Sequence, residues 1–324
     1  MHVVLHTQYY PPEIGAPQAR LSALARGLKE RGHIVTVLTA MPNYPRGVIY
    51  PGYGGLLKEE ERDGVRVLRS WIYPTHSVSP FRRLPAYLSF VFSSLIAGLF
   101  HLKTVDILIT ESPPLFLGLA GYLLSRTKRA RWIFNVSDLW PESAIRLGVI
   151  HGGWSLRLGY KLEAFCYRKA WCVSGQSREI LESIRARFPT VRTYHLSNGA
   201  DTALFTPDRY SLRLRHEVVS GTIALYAGLH GLAQGLEQVL LAAQRLVDVP
   251  HLKIAFVGDG PLKRSLMEQA RALGSGNVFF GPTPLSGDAG RACTNGREAA
   301  QWLDEKLMAK KIIAVYQQAV ERNA

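Results

Sequence analysis

Short apolar runs alternate with helical spacing along most of the chain. HVVLHT (2–7) is followed by a stretch near 16–31 in which Leu21, Leu24, Ala25 and Leu28 recur at steps of three and four, the spacing of one helix face. IVTVLTA (34–40), DILIT (106–110), RWIFNVS (131–137), WCVSG (171–175) and TYHLSN (193–198) extend the strand series, and helices are predicted over 84–102, 114–126, 155–170 and 177–187. Near-continuous apolar strands separated by helices predict a parallel sheet covered on both faces.

A second series starts after residue 205. GTIALYAG (221–228), LKIAFVGDG (252–260) and NVFFGP (277–282) read as strands, with helices over 236–246 and 262–273. Two such series predict an α/β protein of two Rossmann-like domains facing across a cleft, with the ligand at the carboxyl ends of the strands. The expected boundaries are 1–205 and 206–284. The remaining 285–324 opens with the turn-rich LSGDAGRACTNG and ends in a helix carrying Trp302, Leu303, Leu307, Ile312, Ile313 and Tyr316.

The run LPAYLSFVFSSLIAGLFHL (84–102) holds 19 residues without a formal charge, near the length of a membrane span. Pro85, His101, three serines and a position between strands of one sheet favour a buried or membrane-facing helix over a span. Flanking Arg82, Arg83 and Lys103 suit an anionic lipid surface.

Charge sharpens this picture. Of the net +14, residues 1–200 carry +12 (25 Lys and Arg against 13 Asp and Glu). A basic half points either to an anionic partner or to a solvated surface. Nucleic acid is disfavoured, because the cations lie among apolar helices with no aromatic-basic recognition motif. Cys166, Cys172 and Cys293 form no CxxC pair and no disulfide framework, which suits a reducing cytoplasmic setting. The N-terminus has neither the basic start nor the small-residue cleavage site of a signal peptide.

There is no GxxxxGK[ST] phosphate loop, no GxSxG elbow and no HExxH helix. GLHGLAQG (228–235) departs from GxGxxG, and no Asp-x-Asp pair is present to hold a divalent cation across a diphosphate. A nucleotide diphosphate would then rely on amides, helix ends and basic side chains. Gly15, in QYYPPEIGAPQAR (8–20), and Gly228, with Gly231 and Gly235, sit at the first strand–helix junction of each domain. Each either turns the chain or lets the backbone approach a ligand. His6 reads as a satisfied strand residue.

QYYPPEIGAPQARLSALARGL, AMPNYPRG, SDLWPES, SNGADTALF and YAGLHGLAQGLEQVLLAAQRL, in that order over residues 1 to about 284, resemble a family 4 glycosyltransferase with the two-domain GT-B fold. The branch that builds bacterial surface polysaccharides, including fucosamine transferases, is the most similar. The resemblance implies transfer of a sugar from a nucleotide diphosphate sugar with retention of configuration, no cofactor and no metal. It implies a polyprenyl-diphosphate-linked saccharide as acceptor and a peripheral location at the inner face of the cytoplasmic membrane.

It also implies that Asp138, in SDLWPES, orients the reacting hydroxyl or accepts its proton. A turn cap remains the alternative for this residue. Trp140 would wall the pocket and Glu142 would meet sugar hydroxyls, with Asn43, Tyr44 and Arg46 on the acceptor side. Donor binding falls to Gly15, Gly228, His230, Gln234 and Gly235, with His230 and Gln234 standing where many family members carry Arg and Lys.

The family's spaced glutamate pair, one of which holds the nucleotide ribose, does not follow Pro284. Glu298 and Glu305 lie in the predicted terminal helix and are not that pair. The donor domain therefore reads as internally deleted. A remnant that binds acceptor or membrane without donor is the rival expectation, and a nucleotide-sugar epimerase lacks motif support.

Overall fold

The computed structural model describes residues 1–13, 15–44, 47–75, 80–146, 152–198, 222–231, 234–249 and 251–281. The chain divides into two compact units, Met1–Gly199 and Ala200–Ala324, so the boundary falls six residues before the expected one.

In the first unit the strands are β1 (His2–His6), β2 (Ile34–Ala40), β3 (Leu57–Arg62), β4 (Val65–Ser70), β5 (Ile107–Ser112), β6 (Arg131–Val136), β7 (Cys172–Gly175) and β8 (Thr193–His195). The helices are α1 (Ala16–Glu30), α2 (Pro80–His101), α3 (Leu117–Thr127), α4 (Glu142–Arg146), α5 (Trp154–Lys169) and α6 (Arg178–Arg187). The sheet order is β3-β4-β2-β1-β5-β6-β7-β8, parallel except for the β3–β4 hairpin.

Alternate strand positions feed two cores. Val4, Leu38, Leu68 and Leu108 point to the side covered by α2, α3 and α5, where Ala97, Leu124 and Cys166 are buried. Val3, Leu5, Val35, Val37, Val65 and Val67 point to the other side, where Leu21 and Ala25 of α1 cover them. A period of two along each strand with both faces apolar is the signature of a doubly covered sheet.

The hairpin β3–β4 is absent from the sequence prediction. LKEEER has three consecutive glutamates and suggests no strand. It forms because Asp63 and Gly64, both at positive φ (51° and 70°), make the tight turn that VRVLRS needs to pair back. That DG dipeptide beside an alternating run was the available signal.

Helix α2 buries Phe90, Val91, Ser94 and Ala97 on the sheet, and Gly98 lets it come close to Leu124 of α3. It is a covering helix of the domain with one face outward.

The second unit contains β9 (Thr222–Ala227), α7 (Leu236–Arg245), β10 (Leu252–Val257), α8 (Lys263–Ala272) and β11 (Val278–Phe280). Among the described residues its sheet is three-stranded and parallel, in the order β11-β10-β9. Leu236, Leu240, Ala243 and Leu266 pack on Ile254 and Phe256. Residues from 282 onward, including Glu298, Glu305 and the predicted terminal helix, lie outside the described residues.

Candidate active site

From β1 the chain steps to β2 and then β4 on one side, and from α2 it crosses to β5 on the other. The order therefore reverses between β1 and β5, and the crevice at such a switch point is where parallel sheets bind ligands. A polar network fills it. Arg20, on the first turns of α1, donates from Nη2 to Glu111 Oε1 at 2.6 Å, and their side chains are 8% and 5% exposed.

Glu111 ends β5. Its carboxylate also accepts from Ser137 Oγ and, at 2.8 Å, from Asn135 Nδ2, while Asn135 Oδ1 accepts from Ser174 Oγ at 2.6 Å. With the Gln176 amide turned to face it, Arg20 donates to Gln176 from Nε at 3.0 Å and from Nη2 at 3.1 Å. Arg20 Nη1 is buried and meets no acceptor among the described residues. The carboxyl ends of β5, β6 and β7 are thus tied to α1 by one charged cluster. Each buried charge in it is paired, as burial demands.

Asp138 follows Ser137 directly. Its side chain is exposed at the carboxyl end of β6, and the surrounding protein, by displacing water, raises its carboxyl above the usual carboxylate range. Trp140 is half-buried against the α5–β6 core. Glu142 is engaged differently from the sequence reading: Arg187 Nη1 donates to its Oε1 at 2.6 Å and also reaches Glu163 at 3.0 Å. This salt bridge fastens the segment after Asp138 to α5 and α6. It leaves Glu142 Oε2 buried and without a partner among the described residues.

On the other side of the crevice the loops after β1 and β2 are clamped together. Glu13, 3% exposed, accepts from the backbone N–H of Asn43 at 2.7 Å and of Tyr44 at 2.8 Å. Burial pushes its carboxyl up to about 7 in spite of those bonds. Arg69, fully buried, donates to Pro11 O, to Ala40 O at 3.2 Å and to Glu60 Oε1 at 2.8 Å. Asn43 is buried, with Nδ2 donating to Met41 O at 2.9 Å, while Tyr44 stacks edge-on with Tyr9.

Arg46 lies outside the described residues. Asn43 and Tyr44 stand three strands from Asp138, roughly 14 Å at the ordinary strand spacing. All the expected residues of the first unit that are described share this one edge. Glu13, Arg20, Arg69, Glu111 and Asn135 were missed by sequence reasoning. A lone acid in the proline-stiffened YYPPE and the arginines inside VRVLRS were the only hints.

Gly15 caps α1 with φ 164, an extended conformation open to any residue, and a Cβ there would stand 2.5 Å from the buried Gln18 amide oxygen, the end of a side chain with several rotatable bonds. His6 is fully buried; Nε2 is 3.0 Å from Ser94 Oγ and burial lowers its pKa to about 3, so it is a neutral strand residue.

In the second unit Gly228, Gln234 and Gly235 follow β9. Gly235, at φ 58, uses the left-handed conformation as the cap of α7. The N–H of Gly228 is bonded to Val257 O at 2.9 Å and that of His230 to Asp259 O at 2.9 Å. In the first turn of α7 the Gln238 N–H is bonded to Gly235 O at 3.0 Å, and the amides of Leu236 and Glu237, which an α-helix leaves without an intrahelical acceptor, can meet an anion. The His230 ring is turned inward, fully buried among Tyr226, Phe256 and Phe280. Burial and the Lys263 cation lower its pKa, so it offers a donor phosphate no exposed cation. His230, expected among the donor-binding residues, therefore faces the core of its unit.

The chain as a whole is similar to several known proteins. Over 292 residues the chain is 28% identical to a protein of Escherichia coli (strain K12) provisionally named colanic acid biosynthesis glycosyl transferase WcaI, covering 87% of this chain and 72% of that one. Among solved structures, sucrose-phosphate synthase from Thermosynechococcus elongatus superposes with a TM-score of 0.65 at 16% identity, over 87% of this chain and 70% of the other. HepE of Anabaena, solved with UDP and glucose, gives 0.56 at 16% identity, over 86% and 68%. These likenesses show the GT-B fold class. The model of the glycosyl transferase 4-like domain matches residues 15–199, more than half of the chain, from the cap of α1 to the end of the first compact unit. The chain belongs to the glycosyl transferase 4-like family.

Proposed function

We propose that this chain transfers a sugar from a nucleotide diphosphate sugar to a lipid-linked or saccharide acceptor in cell-surface polysaccharide biosynthesis, retaining the anomeric configuration. The observation that carries the reading is Asp138, exposed at the carboxyl edge and anchored through Ser137 to the Arg20–Glu111 pair at the switch point. A carboxyl raised by its surroundings but open to solvent suits a group that orients a hydroxyl and takes its proton.

The name of WcaI supports a polysaccharide pathway, and the complex of HepE with UDP and glucose supports a nucleotide-sugar donor. No cofactor or metal is invoked: the diphosphate charge falls to the first turn of α7 and to basic side chains. The acceptor is proposed to be a polyprenyl-diphosphate-linked saccharide. The outward apolar face of α2 and the basic first unit support a peripheral position on the cytoplasmic face of the membrane.

Asp138→Asn should lower turnover by about 10²–10⁴-fold while leaving nucleotide-sugar affinity nearly unchanged. Transfer assayed with labelled donor, beside calorimetric donor binding, checks this. Wild-type turnover in the Asn variant would return Asp138 to the role of turn cap.

A second reading, a remnant that binds acceptor or membrane without donor, is favoured by the three-stranded sheet of the described donor-side unit. Calorimetry on the wild-type chain separates the two. Micromolar affinity for a nucleotide sugar supports the transferase, whereas absent binding with retained acceptor or vesicle binding supports the remnant.

A further inference from the structure

The turn SDLWPES is held at both ends, by two separate charged clusters. At its start Ser137 Oγ donates to Glu111, which Arg20 of α1 neutralises. At its end Glu142, the first residue of α4, accepts from Arg187 Nη1 at 2.6 Å. Asp138, Leu139, Trp140 and Pro141 are the residues between the anchors. The first cluster belongs to α1 and β5 and the second to α5 and α6, so different parts of the unit set them.

The second cluster is rigid. Glu163 of α5 is fully buried, and Arg187, the last residue of α6, meets both of its oxygens: Nη1 donates to Oε1 at 3.0 Å and Nη2 to Oε2. Two-point pairing fixes the plane of a guanidinium. Aromatic rings hold it further, Tyr160 at 5.4 Å and Phe188 at 5.2 Å. A carboxylate gripped by a cation with so little freedom is placed, not merely attracted. Pro141 adds a contact of its own, since a Cβ on Gly159 of α5 would stand 3.5 Å from its Cβ.

Neutralising Glu163 needs Arg187 alone. Glu142 brings a second carboxylate to one cation, and after burial its charge helps to raise the Glu163 carboxyl above the ordinary range. Its presence therefore does nothing for the buried pair. Nor is Glu142 presented to a sugar: Oε1 is taken by Arg187, and Oε2 is buried without a partner among the described residues. What the contact does is tether the turn.

We infer that Glu142 and Arg187 are positioning residues whose ion pair fixes the turn carrying Asp138 and so the place of its carboxyl at the crevice. The inference rests on the transfer reading above and replaces the sugar contact expected of Glu142.

Three variants test it: Glu142→Gln, Arg187→Lys and the two combined. In a transfer assay Glu142→Gln should lower kcat about 10–100-fold with donor and acceptor KM within about twofold, because a displacement of about 1 Å is enough for such a loss. The combined variant should fall no further than the weaker single one, since both break one contact. A second readout needs no turnover. The carboxyl-carbon NMR signal of Asp138, assigned by its loss in Asp138→Asn, is followed across pH. In wild type it should titrate above the ordinary carboxylate range, and in Glu142→Gln, with the turn opened to water, it should move back toward that range.

A raised KM with kcat kept would return Glu142 to the sugar and overturn the inference. Additive losses in the combined variant would overturn it too, as would an Asp138 signal that titrates in Glu142→Gln as it does in wild type. Should Arg187→Lys unfold because Glu163 loses its two-point partner, Glu142→Gln still decides, for it leaves that pair intact. A wild type that transfers no sugar would overturn the transfer reading alone, and the Asp138 titration would then decide the positioning.

Discussion

The β1–α1 and β9–α7 junctions carry the same sequence grammar, a buried strand running into a glycine-containing loop and then a helix, but they are held by different forces. At the first, side chains do the holding. Glu13 gathers the amides of Asn43 and Tyr44, Arg69 gathers Pro11 and Ala40, and Arg20 ties α1 to Glu111. Gly15 is almost incidental.

At the second junction the main chain packs on the main chain. A Cβ on Gly258 would stand 1.9 Å from Gly228 O, and one on Gly260 would stand 2.4 Å from His230 O. Glycine is there because two strand ends approach one another. Glycine thus marks tolerance at Gly15, whereas the close packing on the β9–α7 junction is set by Gly258 and Gly260 of the loop after β10.

The largest effect that would break this comparison is at Gly258. Gly258→Ala adds a backbone collision and places a side chain at φ 141, so it should cost about 3 kcal/mol or more in the second unit. Hydrogen exchange over 222–281 reads it directly. Wild-type protection would mean that β9 and β10 do not rely on glycine for their approach.

The next effect is a pH dependence at the first junction. Glu13 has its folded pKa raised to about 7 from an ordinary value of 4.5, so ionisation favours the unfolded chain. The stability tied to the protonated carboxyl is present below about 4.5 and lost as pH rises through about 7. Glu13→Gln keeps an acceptor for Asn43 and Tyr44 but cannot ionise. It should match wild type near pH 4 and exceed it at pH 8, by at most ~3 kcal/mol. Urea unfolding at the two pH values checks this, and a pH-independent difference would remove the buried charge from the account.

Gly15→Ala should be the smallest change. Its φ is open to alanine and Gln18 can swing aside, so stability should move by less than ~1 kcal/mol. A loss as large as that at Gly258 would make the two junctions alike after all. Because Gly15 borders the switch point, the same variant sharpens its functional reading. Unchanged stability with weakened donor binding would separate a ligand-facing glycine from a mere turn.

Much of this molecule was fixed by local pattern. Near-continuous apolar runs in β1, β2 and β5, and steps of three and four in α1, depend only on which faces of an element are buried. Those elements stand within a few residues of where the spacing predicts them. The strand ends Asp138, Asn43 and Gly228 were legible for the same reason.

The β3–β4 hairpin was not, because an edge strand rich in glutamate buries little. Its pairing is decided by the turn at Asp63 and Gly64 and by the neighbour it meets. The pairing of Arg20 with Glu111, 91 residues apart, the engagement of Glu142 by Arg187, 45 residues apart, and the inward turn of His230 were likewise beyond the sequence. The sequence states the charge and size of each side chain. Which charges must neutralise one another is set by which strand ends the sheet order brings together, and by how far burial removes water from them.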